Sequence, residues 1–166
     1  MTLLNEEQEA FVTQAKAEIA EITGNLQRLI EIIRKNTVFE SQGRENIKNK
    51  LNPSELYALA IQIPSECAYI QECINDFNIT LAVNATRVNS IITGTLGVLG
   101  ELKGDAKERL RRAEHMNEDI VLPNEMLKQK IKALQNYIER ADKVYEGVKK
   151  IIDSKNREWN FDNKMQ

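Results

Sequence analysis

The chain reads as an all-α protein: an antiparallel helical bundle around a long, coiled-coil-like central helix, with little or no β structure. Three observations carry that reading. Apolar residues recur at three- and four-residue steps over long stretches, a period that a strand, whose side chains alternate every two residues, does not produce. Only three prolines and seven glycines punctuate 166 residues. Lastly, from Phe77 to Gly100 the one ionised side chain is Arg87, whereas a helix facing water normally carries Glu and Lys on its outer side. That segment is therefore expected to be enclosed on more than one side, by helices of this chain or of a second copy.

The first helix, about residues 5–35, is expected to start at Asn5 as N-cap, with Glu6, Glu7 and Glu9 near the positive end of the helix dipole. Its stripe is Phe11, Ala15, Ile19, Ile22, Leu26, Leu29 and Ile33, and Arg34 and Lys35 suit its carbonyl end. Residues 36–52 hold no sustained apolar period and read as a connection, with at most a helical turn around Ile47. Asn52-Pro53-Ser54-Glu55 is the sharpest local signal, a capping Asn with Pro at the first helical position and Glu at the third. A helix over 53–63 follows, and Pro64 is expected to kink it or to separate it from the next.

From Ile63 to Ala113 the stripe covers fifty residues in fourteen steps, or 3.57 per step, which fits a helix over about 64–117 with a possible break at 94–104. Gly94, Gly97, Gly100 and Gly104 fall on one side of such a helix, at roughly 1 kcal/mol each relative to Ala. The preferred reading is a continuous or kinked helix with a glycine groove filled by Tyr137 and Tyr145 or the backbone between them; the alternative is a true break with a restart at Asp105. Ile120-Val121-Leu122-Pro123 then reads as an interruption, and a final helix over 124–157 carries the stripe Leu127, Ile131, Leu134, Ile138, Ala141, Tyr145, Val148 and Ile152. Residues 1–158 are expected to form a single helical domain, followed by a flexible tail over 159–166. Within that tail Trp159 and Phe161 either cap the bundle or anchor a partner.

Composition narrows the function without naming one. The net charge of −2 argues against non-specific nucleic-acid binding as the main activity, although residues 125–157 carry nine bases against five acids and residues 53–93 one base against four acids. With no basic region and no apolar run after Met1, a cytoplasmic location is expected. Cys67 and Cys73, six apart on a helix, point away from each other and should stay unbridged. His115 is the single histidine, too few ligands for a metal site. No phosphate-binding glycine loop, zinc-protease signature or nucleophile elbow occurs, so neither an enzyme, a cofactor nor a metal is expected. Arg87 and the asparagines make a membrane span through 77–100 costly.

Two surfaces remain. Lys103, Lys107, Arg109, Arg111 and Arg112, joined by Lys128, Lys130 and Lys132, form a cationic run that could contact phosphates, but acids interleave with it. Beside the main stripe lies a neutral polar one, Gln71, Asn75, Asn78, Ala82, Thr86, Asn89, Thr93 and Gly97, which suits either a shielded face inside one monomer or a hydrogen-bonding contact with a partner helix or second subunit. The resulting expectation is a non-enzymatic adaptor, inhibitor or assembly protein that self-associates or binds a protein partner. A nucleic-acid-associated accessory factor using the basic 103–132 surface is the alternative.

Overall fold

The computed structural model describes residues 6–39, 47–99 and 105–162, and it is an all-α helical bundle. Helix α1 spans Glu6–Asn36, with Arg34 and Lys35 in its last turn. Asn36 closes it, its carboxamide donating to the Ile32 carbonyl at 2.8 Å. Where the sequence suggested a helical turn around Ile47, two three-residue strands form instead. β1, Thr37–Phe39, pairs antiparallel with β2, Ile47–Asn49, setting Thr37 opposite Asn49 and Phe39 opposite Ile47. A run of three residues is too short to show a period, which is why the pairing was not legible.

Helix α2 runs from Pro53 to Leu99. Its start is the reciprocal cap that the sequence suggested: the Glu55 amide donates to Asn52 Oδ1 at 2.9 Å and the Asn52 amide to Glu55 Oε2 at 2.8 Å. Pro64 does not divide it. The proline lies on the exposed side, where water can reach the carbonyl it leaves unbonded, while Leu56, Leu59, Ile63 and Ile70 are buried and hold the flanking turns in place.

The continuous reading through the glycines is corrected. Gly94 and Gly97 are helical, but α3, Ala106–Met116, is a separate helix with Asp105 as N-cap in an extended conformation (φ −74°, ψ 165°). Asp105 Oδ1 accepts from the Glu108 amide at 2.7 Å, so a good capping residue wins over propagation of the stripe. Gly100 and Gly104 lie outside the described residues.

Helix α4, Glu118–Asp162, contains Pro123 rather than starting after it. The joint is the single residue Asn117. Its amide donates to the Glu114 carbonyl at 3.1 Å, and its own carbonyl accepts from the amides of Ile120 and Val121 at 3.0 Å each. Because the turn is made there, Ile120-Val121-Leu122 enters the helix instead of breaking it. The backbone over 159–162, expected to be tail, is helical as well, and residues 163–166 lie outside the described set.

Two compact units divide the chain, one of Met1–Ile19 with Cys73–Ala133, the other of Ala20–Glu72 with Leu134–Gln166. Among the described residues the second unit buries thirteen hydrophobic side chains, with Leu26, Leu56, Ile63, Ile70, Leu134 and Val148 almost wholly enclosed. The first buries five: Ala15, Ile74, Ile92, Ala113 and Ile131. Fewer hydrophobic side chains of the first unit are enclosed, which leaves apolar surface on it.

Both cysteines are free thiols. In the second unit, burial pushes the Cys67 thiol up from 9.0 to about 11, with the carboxylates of Asp142 and Glu66 adding to the effect. The folded state thus favours the neutral thiol. Its contribution to stability is present below pH 9 and is lost as the pH rises toward 11. A two-unit rise leaves about a hundredfold less thiolate at pH 8, partly offset by its greater nucleophilicity, so Cys67 should alkylate about tenfold more slowly in the native than in the urea-denatured chain. Peptide-resolved iodoacetamide labelling measures this, and equal rates would contradict the burial.

Candidate interaction surface

In the first unit the central helix packs against α3 and the start of α4. Ile92 and Ala113 form the buried cluster there, with Val88, Leu96 and Val121 packed against it. From Asn75 to Val98, however, Ile92 is the one buried side chain. The expectation that this uncharged segment is enclosed on more than one side is therefore corrected for the chain itself: α3, the start of α4 and, beside Thr80 and Asn84, α1 leave the face of Ile79, Val83 and Val98 open.

The opposite face carries Asp76, Ile79, Val83, Arg87, Ser90, Gly94 and Val98, at steps of 3, 4, 4, 3, 4 and 4, and all seven are exposed. Ile79 is 63% exposed, Val83 70% and Val98 79%. Single exposed aliphatics are ordinary on any protein. A line of them on a helix face with two charges in 23 residues is not, because solubility normally favours charge at such positions. Sequence reasoning followed the main stripe and its neutral neighbour and missed this third strip. Its signal was present as the recurrence of Ile79, Val83 and Val98 away from the stripe.

Between α2, α3 and the start of α4 lies an open cleft of about 570 Å³. Leu81, Val88, Ile92, Leu110 and Val121 give it apolar walls, and Asn78, Asn89, Glu114, Asn124, Glu125 and Lys128 supply polar groups. Asn124 is 8% exposed. Nearby, Lys130 pairs with Glu18 and lies 5.7 Å from the centre of the Phe77 ring, which ties α4 to α1 and α2 within this unit. Asn117 adds a further tie, donating from its carboxamide to Thr95 Oγ1 at 2.9 Å and to the Ala113 carbonyl at 2.8 Å.

The other expected residues fall as follows. Asn75, Asn78, Thr86, Asn89 and Thr93 are exposed in the first unit and Gln71 is exposed in the second, so the neutral stripe is not a shielded interior face, although Asn78 and Asn89 line the cleft. No described atom would meet a Cβ built on Gly94 or Gly97 within 4 Å; the close approach expected at those two glycines is not made. Tyr137 and Tyr145 are half-buried in the second unit, with Lys149 Nζ 4.4 Å from the Tyr145 ring centre. The backbone at Trp159 and Phe161 is part of α4.

Three members of the cationic run, Arg112, Lys128 and Lys130, hold carboxylates. Arg112 pairs with Glu108 at 2.5 Å and Lys128 with Glu125 at 2.6 Å, both on the surface. Arg109 is half-buried and its Nε is enclosed without a hydrogen-bond partner. Lys107, Arg111 and Lys132 are exposed, and Lys103 lies outside the described residues. Across 105–133 seven cations face six acids, a balance that gives little net field to attract a polyanion.

His115 is 85% exposed, with Nδ1 3.5 Å from Glu118 Oε2. No group of three metal-capable side chains occurs among the described residues. None of the described helices is long and apolar enough to cross a membrane. Compared with protein-family models, with curated proteins and with solved structures, the chain shows no significant match.

Proposed function

We propose that this chain is a non-enzymatic helical assembly or adaptor protein that works through protein–protein contacts and self-associates through α2. The supporting observation is the outward strip of the first unit, where Ile79, Val83 and Val98 are more than 60% exposed along a helix face whose only charges are Asp76 and Arg87. A face of this kind gains free energy by leaving water, about 25 cal/mol per Å² of apolar surface covered, and it holds few charges whose desolvation would oppose the contact. The nucleic-acid reading has less support, since Arg112 and Lys128 already hold carboxylates and the basic surface is nearly neutral overall.

Light scattering on the purified chain tests the reading. A mass of at least twice the 19.0 kDa of one chain is expected at micromolar concentration. Ile79→Arg with Val83→Arg should return the mass to one chain with far-UV circular dichroism unchanged. A wild-type chain that stays monomeric at high concentration would contradict self-association.

A further inference from the structure

The two charges of the outward strip are eleven residues apart, three helical turns, so Asp76 and Arg87 stand on one line of α2. Both are exposed, and neither forms an ion pair among the described residues. Ile79 and Val83 stand between them, exposed. A segment with an acid at one end, a base at the other and aliphatics between them is complementary to itself when turned end for end. Parallel copies in register would set Asp76 against Asp76 and Arg87 against Arg87, which is repulsive at both ends. An antiparallel copy, related by a two-fold axis at Leu81 and Ala82, sets each Asp76 opposite the partner's Arg87, twice, with the aliphatics of both copies near the axis.

We infer that the strip docks a second copy of this chain, with the two α2 helices antiparallel about Leu81 and Ala82 and Asp76 of each paired with the partner's Arg87. This rests on the self-association reading and adds its geometry. Ser90 and Gly94, on the same line, offer no bulk that would hold the second helix away.

Charge reversal tests it by sedimentation equilibrium at low salt. Asp76→Arg alone, or Arg87→Asp alone, turns two attractive pairs per dimer into two repulsive ones. Each should weaken self-association about 10- to 30-fold. The double variant, Asp76→Arg with Arg87→Asp, restores both pairs with their signs exchanged and should return to within about threefold of wild type on the same arithmetic. An equimolar mixture of the two single variants should form a one-to-one heterodimer tighter than either homodimer. Both residue changes are at exposed positions, and unchanged far-UV circular dichroism together with rescue in the double variant separates loss of pairing from loss of fold. A dimeric wild type that neither single reversal weakens overturns the antiparallel pairing and leaves self-association standing. A monomeric wild type overturns both.

Discussion

Ile74→Ala should lower the unfolding free energy by about 2–5 kcal/mol, read as a fall in the urea midpoint at an unchanged denaturant slope. Ile74 is 1% exposed, one of five hydrophobic side chains buried in the first unit among the described residues, so the methyl and methylene groups removed leave a cavity. Five residues along the same helix, Ile79→Ala should change stability by about 0.5 kcal/mol or less, because its side chain is 63% exposed and is already largely in water. Its effect should fall on solution mass instead. The pair is informative because residue type and element are held constant. If, at a concentration where the chain is monomeric, Ile79→Ala destabilises as much as Ile74→Ala, the outward strip is packed against something within the chain and the docking surface does not exist.

Most of the fold was legible because long helices repeat their signal. Thirty-one residues of α1 contain enough turns of the stripe from Ala15 to Ile33 to fix the element, and Leu26, Leu29 and Ile33 are buried as that stripe requires. Asn52 and Glu55 were read correctly since a capping box is satisfied by two side chains three residues apart. The errors occur where a local preference competes with a longer-range one. Pro64 was expected to kink its helix or divide it and Pro123 to interrupt the chain, yet burial on either side of Pro64 and the turn at Asn117 before Pro123 place each inside a helix. At Asp105 a capping side chain starts α3 afresh, the restart that stood as the alternative to a continuous helix.

The candidate surface was less legible for a related reason. An absence of charge between Phe77 and Gly100 says that water is an unlikely neighbour, but it does not say which molecule supplies the cover. The apolar stripe and its neutral polar neighbour are separable in the sequence, but the third strip, Ile79, Val83 and Val98, is not marked off from them by charge. Burial resolves the faces: Ile92 is enclosed, Val88 and Leu96 pack against its cluster, and Ile79, Val83 and Val98 stand in the open. Periodicity gave the angular position of the core-facing stripe, and three-dimensional packing was needed to show how narrow it is.

The second large effect concerns Ala113, where Ala113→Leu should loosen α3 selectively. Ala113 is fully enclosed and is the one buried residue of that helix, packed in the cluster of Ile92, Val88, Leu96 and Val121. Because Ala113 is fully enclosed, three extra carbon atoms there must push against its neighbours, and over-packing of this kind costs about 1–3 kcal/mol. An eleven-residue helix is shorter than the ~12–15 residues at which isolated helices become marginally stable in water, so α3 persists through its tertiary contacts. Losing the Ala113 contact leaves it the Asp105 cap and the Asn117 hydrogen bonds to Thr95 and Ala113. Amide hydrogens of Arg109 to Met116 should therefore exchange about 5- to 150-fold faster in Ala113→Leu. Those of the second unit around Leu26 and Leu134 should hold their protection. Because Ala113 packs on the side of α2 away from Ile79 and Val83, the same variant should leave self-association unchanged, separating the face that holds α3 from the face proposed to hold a second copy. Full protection of α3 in Ala113→Leu would show that the helix is held by contacts other than this one methyl group.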